Sequence, residues 1–276
     1  MTTSSYADDF NIIATDANLD VIDERLNHAL RRVKKWARRK HLQISAEKLT
    51  VTFFTTDPHQ HHHHPQVLYD GNLLPLAKNA KILGVTWGTS FTFGPHVRSV
   101  VSKVGSRLKV LKALAGTDWG SSQADLLATY KSLEASVINY AAPIYSPNFK
   151  PSNIKKLQTM QNHCLGVVTG NYATASFEHL HHKTKTLPVD DHLQLLSRQF
   201  LASSLHPQHP SHPVVTKPSG PRQLRHTLSS RHHQAVAPFL RGGVLPDGCR
   251  GNVLKDLHTL AVAVALTSLD SCPNRV

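Results

Sequence analysis

The stretch Tyr6-Ala7-Asp8-Asp9-Phe10-Asn11-Ile12-Ile13-Ala14 decides how the rest of the chain is read. Adjacent carboxylates between an aromatic residue and a strand-forming apolar run predict a tight β-hairpin whose turn carries both acids. Carboxylates held that closely repel each other, and both stay ionised only with a cation beside them. An all-oxygen donor set suits Mg2+, which takes one or two carboxylates and completes its shell with water or substrate phosphate. The competing reading is an acidic surface turn, and the residues downstream weigh between the two.

Outward from the turn, charge is segregated. Residues 1–24 hold six acids and no Lys or Arg, whereas residues 25–41 hold eight Lys or Arg and no acid. Ile22, Leu26, Leu30, Val33 and Ala37 recur at helical spacing and predict an amphipathic helix from Asn18 to about His41. Its acidic first turns and basic last turns suit the helix dipole. A solvated face accounts for most of these charges, and two or three of them facing a phosphate backbone would suffice for a binding role. Leu42-Gln43-Ile44-Ser45-Ala46-Glu47-Lys48 then leads into a predicted strand, Thr50–Phe54. A loop bracketed by Pro58 and Pro65 contains His61-His62-His63-His64, a run with nothing to fix a metal geometry. Asp70-Gly71 marks a hairpin turn, and Ile82–Trp87 predicts a further strand in which Gly84 permits close backbone approach.

From Pro95 the apolar period changes from two to 3.6. Val97, Val100, Val101, Val104, Leu108 and Leu111 form one stripe, with Arg98, Lys103, Arg107, Lys109 and Lys112 off it. Ser121 or Ser122 caps a second predicted helix, a third runs from about Ser152 to Gly170, and a fourth covers Val189–Leu205. A Pro/His/Ser-rich stretch from His206 to Pro221 predicts a linker. Short helical segments are expected at Leu224–Leu240 and Val253–Leu269, although the Ala/Val alternation of Leu260–Leu266 reads equally as a buried helix or strand. The fold class is α+β: a small antiparallel sheet with a hairpin and a helix over residues 1–92, a helical region over 93–205, and a linker with a helical tail over 206–276.

Composition narrows the function classes. With 276 residues and 40% hydrophobic content the chain can bury a core, and a net charge of +13 favours a polyanionic partner, nucleic acid before membrane. Cys164, Cys249 and Cys272 are far apart, without zinc spacing or a disulfide framework, which fits a reducing, intracellular site. No apolar run has the length of a membrane span, and the polar residues 1–5 are not expected to act as a signal peptide.

The ordered set now on the page resembles the reverse transcriptases of non-LTR (LINE-type) retrotransposons: Tyr6-Ala7-Asp8-Asp9, the amphipathic helix, Leu42 to Lys48, Ile82-Leu83-Gly84-Val85, and the basic helices. Leu157-Gln158, Gln161-Asn162, Gly170 and Leu187-Pro188-Val189 extend the resemblance. It implies an RNA-directed DNA polymerase in which Asp8 is the main Mg2+ ligand and Asp9 its lesser neighbour, with Tyr6 near the incoming nucleotide. Lys48 would stand near the triphosphate, Leu83-Gly84-Val85 would form the primer grip, and the helices bearing Arg98, Lys103, Arg107, Lys109 and Lys112 would be a thumb on an RNA–DNA template–primer. The fingers and the palm strand with the other catalytic aspartate would lie before residue 1. The resemblance therefore implies the C-terminal part of such an enzyme, a truncated element or partial gene model. It would be nuclear or cytoplasmic, have an incomplete Mg2+ site, be inactive alone, and have the missing N-terminal part as partner. The alternative is a non-enzymatic basic nucleic-acid-binding protein derived from such an element. A His-rich metal-binding protein is a third reading, which lacks ordered Cys/His spacing.

Overall fold

The computed structural model describes residues 1–7, 9–55, 57–60, 62–116, 120–171, 176–216, 260–267 and 269–271. The chain divides into two compact units, one made of residues 1–95 with 256–276 and the other of residues 96–255. Its described residues mix helices with small antiparallel sheets, in keeping with the α+β class.

The first unit begins with the expected hairpin. Strands β1 (Thr2–Tyr6) and β2 (Asp9–Asp16) pair with Tyr6 opposite Asp9, so positions 7 and 8 connect them, and Ala7 takes a left-handed φ of 51°. Helix α1 (Leu19–Arg39) is capped by Asn18, whose side chain accepts from Asp20 N–H at 2.9 Å. Its buried stripe, Ile22, Leu26, Ala29, Leu30 and Ala37, joins Ile12 and Ala14 of β2 in one core. Each fully buried Leu or Ile there contributes about 1.5–3 kcal/mol.

Strand β3 (Leu42–Ile44) and a 3-10 turn (Ala46–Lys48) lead into β4 (Leu49–Phe54), whose Val51 and Phe53 complete that core. Two short hairpins follow. In β5 (Leu68–Tyr69) and β6 (Asn72–Leu73) the turn is Asp70-Gly71, with φ of 53° and 82°. Both central residues are left-handed, the geometry whose twist matches a two-residue hairpin. The stretch expected as one strand over Ile82–Trp87 is instead a hairpin of β7 (Asn79–Ile82) and β8 (Val85–Gly88). Leu83 and Gly84 form its turn, at φ of 45° and 81°. The glycine supplies the second left-handed position rather than a close approach inside a strand.

The tail contains the larger correction. Residues expected within a helix at Val253–Leu269 form β9 (Leu260–Thr267) and β10 (Leu269–Ser271), and the strand alternative for the Ala/Val run is the one realised. β9 lies between β2 and β4, antiparallel to both, giving the order β1-β2-β9-β4. Without it β2 and β4 would each present a row of unpaired N–H and C=O groups, and one inserted strand satisfies both edges. A helix would satisfy neither. β10 pairs with β3. The helix expected at Leu224–Leu240 lies outside the described residues.

Side chains on α1 extend the sheet logic to a loop. Asn27 donates to Gln66 O and accepts from Leu68 N–H, both at 2.8 Å, and Asp23 accepts from Gln66 N–H at 2.8 Å. Residues one helical turn apart thus mimic a strand edge for residues 66–68.

The second unit is helical among its described residues: α2 (Gly94–Leu114), α3 (Gln123–Tyr130), α4 (Ser136–Asn139), α5 (Ala142–Tyr145), α6 (Pro151–Thr169), α7 (Phe177–Thr184), α8 (Val189–Ser204) and α9 (His212–Val215). Ser122 caps α3 by accepting from Asp125 N–H at 3.2 Å. Gly170 ends α6 in the left-handed conformation, at φ 72°, while Asn171 N–H bonds back to Gly166 O at 3.0 Å.

Removing residues 256–276 should strip the central strand from the first sheet. The expected outcome is loss of cooperative unfolding in that unit and aggregation through the two exposed edges. Circular dichroism melts and light scattering of the truncated chain beside the intact one check this.

Candidate functional site

Asp8, the expected main metal ligand, lies outside the described residues. Around it, Tyr6 is 69% exposed and Asp9 is half-buried. Strand register determines what else stands at this end of the sheet. Asp9 pairs with Thr267 of β9, and on the other side of β9 Leu49 pairs with Leu266. Position 48 therefore comes to the level of Thr267, which puts the exposed Lys48 two strand spacings, or about 10 Å, from Asp9. Tyr6, Asp9 and Lys48 share one end of the sheet. Leu83, Gly84 and Val85 belong to the turn and first residue of the β7–β8 hairpin, whose chain is tied to the opposite end of β4 through Thr55 N–H to Thr89 O at 3.0 Å.

The donor chemistry can be set against the expected Mg2+. β9 runs Leu260-Ala261-Val262-Ala263-Val264-Ala265-Leu266-Thr267, so the strand beside Asp9 brings no carboxylate. No group of three or more His, Cys, Asp or Glu with metal-holding geometry occurs among the described residues. A two-ion centre draws ligands from more than one strand. Asp8, the expected main ligand of such a centre, lies outside the described residues. In the His61–His64 run, His61 lies outside the described residues, and His63 packs edge-on against Phe53, ring centroids 5.1 Å apart.

The basic residues on α2 separate into different roles. Arg98, Lys109 and Lys112 are exposed and fall within about 60° of one another around the helix, along roughly 20 Å of its axis. Lys103 is exposed on another face. Arg107 is half-buried, and its guanidinium donates to Leu133 O. Leu133 lies in a π-helical turn, Lys131–Ala135, set between α3 and α4. Such a turn frees backbone carbonyls from the regular ladder, and Arg107 satisfies one of them.

The same π turn buries Glu134 completely, with neither carboxylate oxygen hydrogen-bonded among the described residues. Burial pushes its pKa up, against smaller opposing pulls from its own backbone amide and then from the Arg107 charge. Burial, with Glu134 adding to it, also raises the Cys164 thiol to about 12, so this cysteine is a packed apolar residue rather than a nucleophile.

The motif residues further along form a polar clamp. Gln158 accepts from Val189 N–H at 2.8 Å and donates toward Gln161 Oε1 at 2.9 Å and Asn162 Oδ1 at 2.8 Å. Gln161 donates to Leu187 O at 3.0 Å and to the Tyr130 hydroxyl at 3.2 Å. His181 Nδ1 stands 2.7 Å from Thr186 O. Gln158 and Gln161 thus hold the Leu187-Pro188-Val189 connection onto α6. A helix-borne glutamine followed three residues later by another was the signal available for this contact.

With that geometry in place, comparison with known proteins points in one direction. The chain is 25% identical over 166 residues to a probable RNA-directed DNA polymerase from transposon BS of Drosophila melanogaster, covering 60% of this chain and 18% of that protein. A probable RNA-directed DNA polymerase from the X-element transposon of the same organism is 25% identical over 169 residues, 61% of this chain and 18% of its own length. A putative 115 kDa protein of the type-1 retrotransposable element R1DM, also from Drosophila melanogaster, is 22% identical over 142 residues, 51% of this chain and 14% of its own length. The chain spans less than a fifth of the length of these relatives. The similarity supports a reverse-transcriptase-like segment of the non-LTR retrotransposon kind. No family model matches the chain, and no solved structure matches it significantly. Among the described residues no helix is long and apolar enough to cross a membrane.

Glu134 carries a pH dependence whose sign is fixed. Its folded pKa lies above the ordinary 4.5, so the folded state holds a proton that the unfolded state releases. The stability from the neutral side chain is complete below that ordinary value and is lost as pH rises toward the raised one. Glu134→Gln, neutral throughout, should melt higher than the parent by a margin that grows as pH rises above 4.5. Thermal melts of both proteins across the acid-to-neutral range read this out, and a constant difference would contradict it.

Proposed function

We propose that this chain is the turn-hairpin and helical portion of a retrotransposon RNA-directed DNA polymerase, and that it holds a template–primer by its sugar–phosphate backbone. The observation that carries the reading is the gathering of Tyr6, Asp9 and Lys48 at one end of a sheet, the three described residues expected beside an incoming nucleotide. In this reading the first unit is part of the palm and the second unit is the thumb. Arg98, Lys109 and Lys112 track phosphates without reading sequence, and Arg107 serves the thumb's own packing.

The protein by itself does not extend a primer. Two metal ions bridging a primer oxygen and a triphosphate need more carboxylates than Asp8 and Asp9, and the strand beside Asp9 supplies none. That observation also favours the second reading, a non-enzymatic nucleic-acid-binding protein descended from such a polymerase. The two readings separate by complementation with the N-terminal part of a complete relative: restored synthesis dependent on Asp8 supports the polymerase portion, and its absence supports the binding protein.

Fluorescence anisotropy with an RNA–DNA hybrid tests the binding step. Three phosphate contacts give a slope of log K against log salt of about −3. Reversing Arg98, Lys109 and Lys112 to Glu should weaken binding to all sequences alike and flatten that slope; an unchanged slope would dismiss the α2 stripe. A primer-extension assay comparing the parent with Asp8→Asn tests the chemistry. Synthesis by the parent that is abolished in Asp8→Asn would overturn the expectation of inactivity.

A further inference from the structure

We infer that the solvent face of α1 is a second nucleic-acid site, specific for an unpaired strand, with Trp36 as the ring on which a base stacks. The site lies wholly in the first unit and does not depend on the polymerase reading. Arg31, Arg32, Lys35 and Arg39 are all exposed, and none forms an ion pair among the described residues. Two other cations of the same helix are engaged: Arg25 pairs with Asp16 at 2.8 Å, and Lys34 with Asp70. The four unpaired residues and Trp36 span about 140° of the helix circumference within roughly 12 Å of axis.

This arrangement is unfavourable to the bare protein in two ways. Arg31 with Lys35, and Lys35 with Arg39, are like charges one turn apart, which repel across a helix face. Trp36 leaves 43% of its surface in water, an aromatic area exposed among cations. An anionic chain carrying flat aromatic groups relieves both. Arg32 and Arg39 stand one turn to either side of Trp36, so a base on the indole would have its flanking phosphates within reach of a guanidinium on each side. Only an unpaired base can present its face to such a ring, since a duplex buries those faces in its stack. Either RNA or DNA qualifies, because stacking does not read the sugar. The opposite face of α1 is occupied by the core, with Ile22, Leu26 and Leu30 buried, so the helix is not free to insert into a membrane.

The test uses the full chain and reads tryptophan emission during titration with a twelve-nucleotide single-stranded DNA, the matching RNA, their hybrid duplex, and heparin. The chain has three tryptophans, so the Trp36 component is taken as the difference between the parent and Trp36→Phe. We expect both single strands to quench that component, and heparin to bind without quenching it. Trp36→Ala should weaken single-strand affinity about tenfold, while Trp36→Phe retains most of it. Arg32→Gln with Arg39→Gln should reduce the single-strand salt slope by about 1.4. Reversal of the α2 stripe should leave the Trp36 quenching intact, which separates failure of this site from failure of the hybrid-binding site. Equal quenching by heparin or by the duplex would overturn the inference. So would single-strand affinity that is unchanged in Trp36→Ala, or that falls as far in Trp36→Phe as in Trp36→Ala.

Discussion

The first unit depends on one requirement: every strand edge in the interior of a sheet must find hydrogen-bond partners. β2 carries the acidic turn and β4 follows Lys48, yet the two strands do not pair with each other. β9 joins them, exchanging bonds along all eight residues of β2 and six of β4. The position of Asp9 relative to Lys48 is therefore set by a strand that contains neither, and a register slip of one residue in β9 would move one against the other and turn side chains to the wrong face. The placement of these side chains at the sheet's end is only as firm as that pairing.

Much of the local structure was legible in the sequence because it is governed by neighbours in the chain. The helix from Asn18, the Asp70-Gly71 turn, a serine cap at 121 or 122 and the Gly170 stop each follow from a few adjacent side chains. Leu83-Gly84 was misread because a two-residue turn with a leucine in the left-handed region offers only one glycine as a signal. The 260–267 run was ambiguous for a different reason. Periodicity separates a strand from a helix when one face is wet, and a strand paired on both edges can be apolar at every position.

The candidate site was legible in its members more than in their roles. Lysines and arginines at helical spacing look alike in a sequence, and the difference between Arg107, spent on Leu133 O, and Arg98, left in solvent, arises from the π turn opposite. No local pattern announces that turn. Gln158 and Gln161 were recognised as part of a resemblance, and the geometry gives the physical reason such residues matter: they are the fastening between α6 and the connection that starts α8.

The order of the chain gives the central strand of the first sheet a further meaning. Residues 96–255 form a compact unit inserted between the two pieces of another. During synthesis the hairpin, α1 and β4 emerge before residues 96–255 and β9 after them, so the sheet closes only once that insert has been made. Its folding is dominated by one contact of very long sequence separation, which makes closure slow while leaving its free energy tolerant of the insert's length, since doubling a flexible loop costs only about 0.6 kcal/mol. The helical unit can lengthen or shorten at little cost to the sheet, whereas the arrival of β9 sets when the sheet can close.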